Sequence, residues 1–180
     1  MNVSITDKTY KKLTIQVSLN GMSFCIFDAL SAQPLSLQNI QFEHFQKNTK
    51  IEDLFEKVFI EFPELNAAFD DILIIHNNNL STFVPNALFD NEFIGSYLQY
   101  NTKVFETDFF TYDELATFEM NNVYIPYINM NNYFIDKYGS FDYKHSSSIL
   151  VTKLLDVTKK KKNKKMFVHI TSTHFEIIIA

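Results

Sequence analysis

The side chains able to do chemistry in this sequence are few, and their spacing assembles nothing catalytic. The five histidines, His44, His76, His145, His169 and His174, are scattered along the chain. His169 and His174 flank one turn, as a metal pair would, but no cysteine or carboxylate stands at close ligand spacing; they read as ordinary strand histidines. Cys25 lies in an apolar stretch and reads as a small buried hydrophobe rather than a nucleophile. No Gly-x-Ser-x-Gly or local Cys-His arrangement supports covalent catalysis. The paired carboxylates Asp70-Asp71 and Asp113-Glu114 read as solvated charges at loop or strand ends.

Charge narrows the partners. All sixteen basic residues are lysine. Arginine is the residue of bidentate phosphate and base-edge recognition, so its absence weighs against sequence-specific nucleic-acid binding and arginine-finger chemistry. Residues 1–158 are strongly acidic, and the basic excess is concentrated in Lys159–Lys162, Lys164 and Lys165. That run lacks the interleaved aromatics of a base-stacking surface and follows an acidic body, so it reads as a solvated connector. The polar stretch Met1–Lys12 is not a secretory signal, and no apolar run reaches the roughly 20 residues of a membrane helix. A single cysteine, unable to form an internal disulfide, fits a reducing compartment, and a cytoplasmic location is expected.

Periodicity supplies the elements. Leu13, Ile15, Val17 and Leu19 alternate with polar residues as a half-buried strand. Asn20-Gly21 then predicts a hairpin turn with positive φ, and Met22–Phe27 returns as the second strand. A third strand is expected over Leu35–Phe42. Thr49 with Glu52 predicts a capping box opening a helix that Pro63 closes, with Ile51, Leu54, Phe55, Val58, Phe59 and Phe62 on its inner face. Ile72–Ile75 and Leu80–Val84 read as a strand pair joined by Asn77-Asn78-Asn79. A short helix over Glu92–Tyr100, strands over Val104–Phe110 and Val123–Tyr127, and a helix over Asn131–Lys137 ended by Gly139 follow. Ser146–Val157 is a further helix, and Phe167–Thr171 and Phe175–Ile179 are strands around a Ser172-Thr173 turn.

This order resembles the actin-like ATPase (ribonuclease H-like) fold, in which two similar lobes each open with a β-hairpin. The resemblance implies an α/β, mixed-sheet lobe over residues 1–158, a lysine-rich connector over 159–165, and over 166–180 the opening hairpin of a second, truncated lobe. Leu13–Asp28, Ser81–Phe89, Tyr97–Asn101, Val123–Phe134 and Lys144–Ser147 also resemble a bacterial family known as domain of unknown function 3822. That family is similar in fold to the actin-like group and its pilus and secretion assembly proteins. Its members continue into the rest of a second lobe, so the present chain is expected to be a fragment.

Actin-like ATPases hold phosphates between the two hairpins. An acid beside the turn holds hydrated Mg²⁺, and Gly and hydroxyl residues let backbone amides approach the phosphates. Were a nucleotide to bind here, the resemblance would place it on Ser18, Asn20, Gly21 and Ser23 of the first hairpin and Ser172 and Thr173 of the second. Neither hairpin carries the acid, and Asp28 lies at the far end of the returning strand, roughly 20 Å away at about 3.3 Å per residue. The expectation is therefore a non-catalytic actin-like scaffold without cofactor or metal, the alternative being a nucleotide-binding switch or degenerate ATPase. A protein partner is expected, with Tyr97, Tyr100, Tyr124, Tyr127 and Tyr133, and more broadly the stretch to Tyr143, as its surface, since tyrosine gives interface area at low entropy cost.

Overall fold

A computed structural model describes residues 8–42, 49–159, 164–171 and 174–179. The described chain divides into two compact units, one formed by residues 1–79 and 125–144, the other by 80–124 and 145–180.

The first unit is built on strands β1 (Lys11–Ser18), β2 (Gly21–Asp28), β3 (Gln33–Gln41), β4 (Asp71–His76) and β8 (Asp142–His145), ordered β3-β2-β1-β4-β8. β1 and β2 pair antiparallel, as do β2 and β3, while β1 and β4 run parallel. The parallel pair needs a crossover, which α1 (Ile51–Glu61) supplies. Alternation then sorts the side chains: Leu13, Ile15 and Val17 of β1, Met22, Phe24 and Ile26 of β2, and Ile74 of β4 are buried on one face. α1 and α2 (Ile128–Tyr138) cover that face with Phe55, Val58, Phe59, Met130, Tyr133 and Phe134. Phe55 is the hub, its ring centroid 5.2 Å from Tyr133, 5.3 Å from Phe134 and 6.1 Å from Phe42. Across the exposed rim, Lys137 pairs with Glu56 at 2.9 Å and tethers α2 to α1.

The second unit holds the antiparallel sheet β5-β7-β6, from β5 (Ser81–Pro85), β6 (Thr111–Leu115) and β7 (Met120–Tyr124). It also contains α3 (Ser146–Thr158) and a separate hairpin of β9 (Met166–Ile170) and β10 (Phe175–Ile179).

Several expectations are corrected. The first hairpin forms, but Ser18 pairs with Gly21, so the loop is Leu19-Asn20 and Gly21 opens β2. Positive φ among the described residues falls on Tyr10, Ala32, Glu119 and Gly139, not on Asn20 or Gly21. Gly21 is needed for proximity: a Cβ there would sit 2.5 Å from the Ile40 carbonyl oxygen on β3. The Thr49–Glu52 capping box does not form; α1 begins at Ile51, and its N-cap Lys50 makes no side-chain cap bond. β4 and β5 are not a strand pair, since β4 pairs with β1 and β5 with β7. The expected helix over Glu92–Tyr100 is a kinked 3₁₀ segment, Asn91–Tyr97, whose first turn is capped by the Asp90 side chain on Glu92 N–H. Val104–Phe110 is irregular rather than a strand, because Asp108 turns the chain by accepting from Phe105 N–H at 2.8 Å. The strand expected over Val123–Tyr127 is β7, three residues earlier, with Pro126 separating it from α2.

Candidate functional site

The first hairpin turn sits beside the carboxyl end of the parallel pair, where Val17 is in register with His76. This is the edge of an α/β sheet at which ligands are received. Ser18 is committed within the turn: its hydroxyl donates to the Gly21 carbonyl at 3.2 Å and accepts from Asn20 N–H at 3.3 Å. The Asn20 carbonyl accepts from Phe42 N–H at 2.9 Å, and the Val17 carbonyl from Asn77 N–H at 2.9 Å. Ser23 is half-buried within β2. The turn and the strand ends beside it thus carry Ser18, Asn20, Gln41 and Asn77, with His76 buried beneath, and none of them is an acid. Asp28 pairs with Lys11 at the opposite end of β2 and spends its carboxylate on Leu30 N–H and the Ser31 hydroxyl. The described residues of the turn thus offer no carboxylate to a hydrated magnesium ion. Glu43, next along the chain from Phe42, and the second-hairpin residues Ser172 and Thr173 lie outside the described residues, as does His44.

His76 is fully buried at this strand end. Its Nδ1 accepts from Tyr127 N–H at 3.2 Å, which leaves Nε2 protonated to donate to Asn131 Oδ1 at 2.8 Å. The imidazole therefore joins β4 to the first turn of α2 in its neutral form, and burial pushes its pKa down to about 4. A folded-state pKa below the unfolded value of 6.5 gives stability that is complete above pH 6.5 and lost as pH falls towards 4. Urea unfolding at pH 7 and pH 5 should show the first unit losing about 2 kcal/mol. His76→Gln should remove most of that slope; a slope that survives the substitution would assign it elsewhere.

The second unit contains a buried polar cluster that sequence reasoning misplaced. Asp113 is not a solvated edge charge but only 8% exposed. Its carboxylate accepts from His145 N–H at 2.8 Å, from the Ser148 hydroxyl in a short bond, and from the Tyr124 hydroxyl at 3.3 Å. Asn122 donates to the Ser148 oxygen at 2.8 Å. Asp, His and Ser are here together, yet not as a nucleophilic relay. Ser148 donates directly to the carboxylate, and His145 Nδ1 accepts from Ser147 N–H at 3.2 Å, capping α3. The arrangement fixes the N-terminus of α3 to β6, with a negative charge at the positive end of the helix. The signal that could have found it is alternation in β6: Asp113 and Leu115 are buried, whereas Tyr112 and Glu114 are exposed.

The tyrosines separate into two sets. Tyr124 and Tyr133 are core residues, 1% and 8% exposed, and cannot contact a partner through their rings. Tyr127, Tyr138 and Tyr143 are half-buried, and Tyr138 donates to the Leu65 carbonyl at 3.0 Å. Tyr97 is half-buried with its hydroxyl held by backbone, and Tyr100 is 87% exposed. Cys25 is half-buried rather than buried, being out of phase with Phe24 and Ile26. His169 does have a carboxylate beside it: Glu176 faces it across β9–β10, with Nδ1 and Oε2 2.9 Å apart. The chain offset of seven residues concealed that pairing. His174 Nδ1 lies 3.0 Å from the Thr171 hydroxyl. Among the described residues, no three His, Cys, Asp or Glu side chains cluster as a metal site.

Near the amino ends of β1 and β4 lies an open pocket of about 630 Å³, lined in part by Lys12, Asp70, Asp71, Ser140, Asp142 and Lys144. Lys12 pairs with Asp71 at 2.6 Å, and Asp70 accepts from Thr9 and Tyr10 N–H.

The mixed α/β architecture is that of the actin-like ATPase fold. It is shared with a crystal structure of a Bacteroides thetaiotaomicron protein of actin-like ATPase fold and unknown function, with a TM-score of 0.83 and 17% identity, covering 99% of this chain and 68% of that one. The chain belongs to the family of proteins of unknown function DUF3822, whose profile matches residues 1–180. A more distant likeness is to the cytoplasmic domain of EpsL, an inner membrane component of the type II secretion system of Vibrio cholerae. There the TM-score is 0.47 and the identity 11%, over 93% of this chain and 69% of that one. No curated protein matches the chain. No helix among the described residues is long and apolar enough to cross a membrane.

Proposed function

We propose that this chain is a non-catalytic, actin-like module that binds or scaffolds other proteins in the cytoplasm. The observation carrying the reading is the chemistry of the first turn, where Ser18 is spent on the turn itself and the nearest acid along β2, Asp28, is at the strand's other end. The reading treats residues 1–158 as one lobe and 159–165 as a connector, with 166–180 as the opening hairpin of a second. That β9 and β10 form a sheet of their own supports setting 166–180 apart, whereas the two compact units divide 1–158 and join residues 80–124 to 145–180.

A nucleotide-binding switch is the second reading, favoured by the placement of the Leu19-Asn20 turn at the carboxyl end of the parallel pair. Thermal unfolding with and without ATP and Mg²⁺ separates the two. A ligand at 100 times its Kd stabilises by about 2.7 kcal/mol, several degrees for a chain of this size. The scaffold reading expects no shift; a saturable shift abolished by Ser18→Ala or Ser23→Ala would favour the switch.

A further inference from the structure

The second unit leaves a run of large apolar side chains in the open between Leu88 and Tyr112. Leu88, Phe93, Tyr100, Phe105, Phe109 and Tyr112 are all exposed, Leu88 at 70% and Phe93 at 60%. Single exposed hydrophobes need no explanation, but part of this surface is tied together. The Phe89 ring stacks on Tyr97 at 5.9 Å and lies 4.7 Å from Tyr112. The Tyr97 hydroxyl donates to the Leu88 carbonyl and accepts from Asp90 N–H, both at 2.7 Å, and the Phe110 ring fills the space over Gly95. The platform held in this way is Phe89, Tyr97, Tyr112 and Phe110, with the exposed Leu88, Phe93, Tyr100, Phe105 and Phe109 in the same stretch of chain. Its fixed rings have little freedom left to lose on binding.

Its charge is one-sided. Asp90, Glu92, Glu106 and Asp108 punctuate the stretch, Asp90 and Asp108 also accepting from backbone N–H, with Glu114 just beyond it, and Lys103 is its one cation. That lysine lies over the Phe105 ring at 5.0 Å, and Lys159 lies over Phe118 at 4.7 Å, so lysine-on-ring contacts already occur in this unit.

We propose that this surface docks a basic polypeptide segment of a partner protein, with Leu-type anchors on the aromatic platform and Lys or Arg side chains answering the carboxylates. The proposal rests on the protein-binding reading and gives its partner a chemistry. A neutral or acidic partner would cover the rings but leave the carboxylates facing uncompensated charge. Nucleic acid and anionic lipid are disfavoured by the same carboxylates.

The test uses the full chain and two fluorescent 14-residue amphipathic peptides, one of Leu and Lys and one of Leu and Glu in the same pattern, followed by anisotropy. The Leu/Lys peptide should bind saturably, at least tenfold more tightly than the Leu/Glu peptide, and weaken with salt. Phe93→Ala with Tyr100→Ala should weaken it at least fivefold. Glu92→Lys with Glu106→Lys should weaken it similarly and flatten the salt dependence, with each variant's unfolding midpoint matched to the parent. Equal binding of both peptides would reduce the surface to apolar adhesion. Unchanged binding by the variants would move the site elsewhere, and no binding at millimolar peptide would remove it. Self-association in sedimentation, lost with Phe93→Ala, would replace the basic partner with a second copy. All four outcomes overturn the proposal. A chain that ignores both peptides yet shows no ATP turnover retires this surface and leaves the scaffold reading standing, whereas ATP turnover would defeat the scaffold reading whatever the peptides do.

Discussion

Gly21→Ala is expected to destabilise the first unit by ~3 kcal/mol, although the residue occupies ordinary φ space. The added Cβ would lie 2.5 Å from the Ile40 carbonyl oxygen, and because that atom is backbone, no side-chain rotation relieves the clash. β3 must move away from β2 where Gly21 pairs with Gln41, which also strains the bond from Phe42 N–H to the Asn20 carbonyl. Gly139 is the informative control. Nothing lies within 4 Å of its added Cβ, but its φ of +79° with ψ of −59° lies outside the left-handed helical region too, so alanine there is opposed by backbone strain alone, on the order of 2–3 kcal/mol. Denaturant unfolding of both variants checks the pair, and a Gly21→Ala loss below ~1 kcal/mol would contradict the close approach of β3.

Asp113→Ala should cost ~3–5 kcal/mol in the second unit, because it leaves His145 N–H, the Ser148 hydroxyl and the Tyr124 hydroxyl without their shared acceptor inside the protein. Asp113→Asn keeps one carbonyl oxygen but sets an amide donor among donors, and is expected to cost ~2 kcal/mol. Amide hydrogen exchange locates the damage: protection should fall in β6 and the first turn of α3 while β1, β2 and β4 keep theirs. A loss below ~0.5 kcal/mol, or an even loss across both units, would mean that the carboxylate is not what fixes α3.

These two residues also mark what could be read in the sequence. The β1–β2 hairpin was legible because Leu13, Ile15 and Val17 alternate without interruption and Asn20-Gly21 marks a reversal. Its register was not, because the demand for glycine comes from β3, twenty residues on, and not from the turn. The inner face of α1 was readable from helical spacing, but the start of the helix at Ile51 was not, since the Thr49–Glu52 signal does not form a cap. In the second unit, Val104, Phe105, Phe109 and Phe110 have strand-like composition, yet the turn at Asp108 makes them irregular and moves the strand to Thr111–Leu115. With β6 misplaced, the inward phase of Asp113 was invisible, and its partners at 145 and 148 are more than thirty residues away. For the same reason Tyr124 and Tyr133 were assigned to a surface. Their number was plain from composition, but their burial is set by nonlocal packing.

The central claim concerns the first turn, and phosphate release from ATP with Mg²⁺ tests it most directly. The purified chain is predicted to show no magnesium-dependent turnover above a no-protein control, and no change with Ser18→Ala, Ser23→Ala or Glu43→Gln. A steady rate that needs Mg²⁺ and collapses in any of those variants would contradict the account.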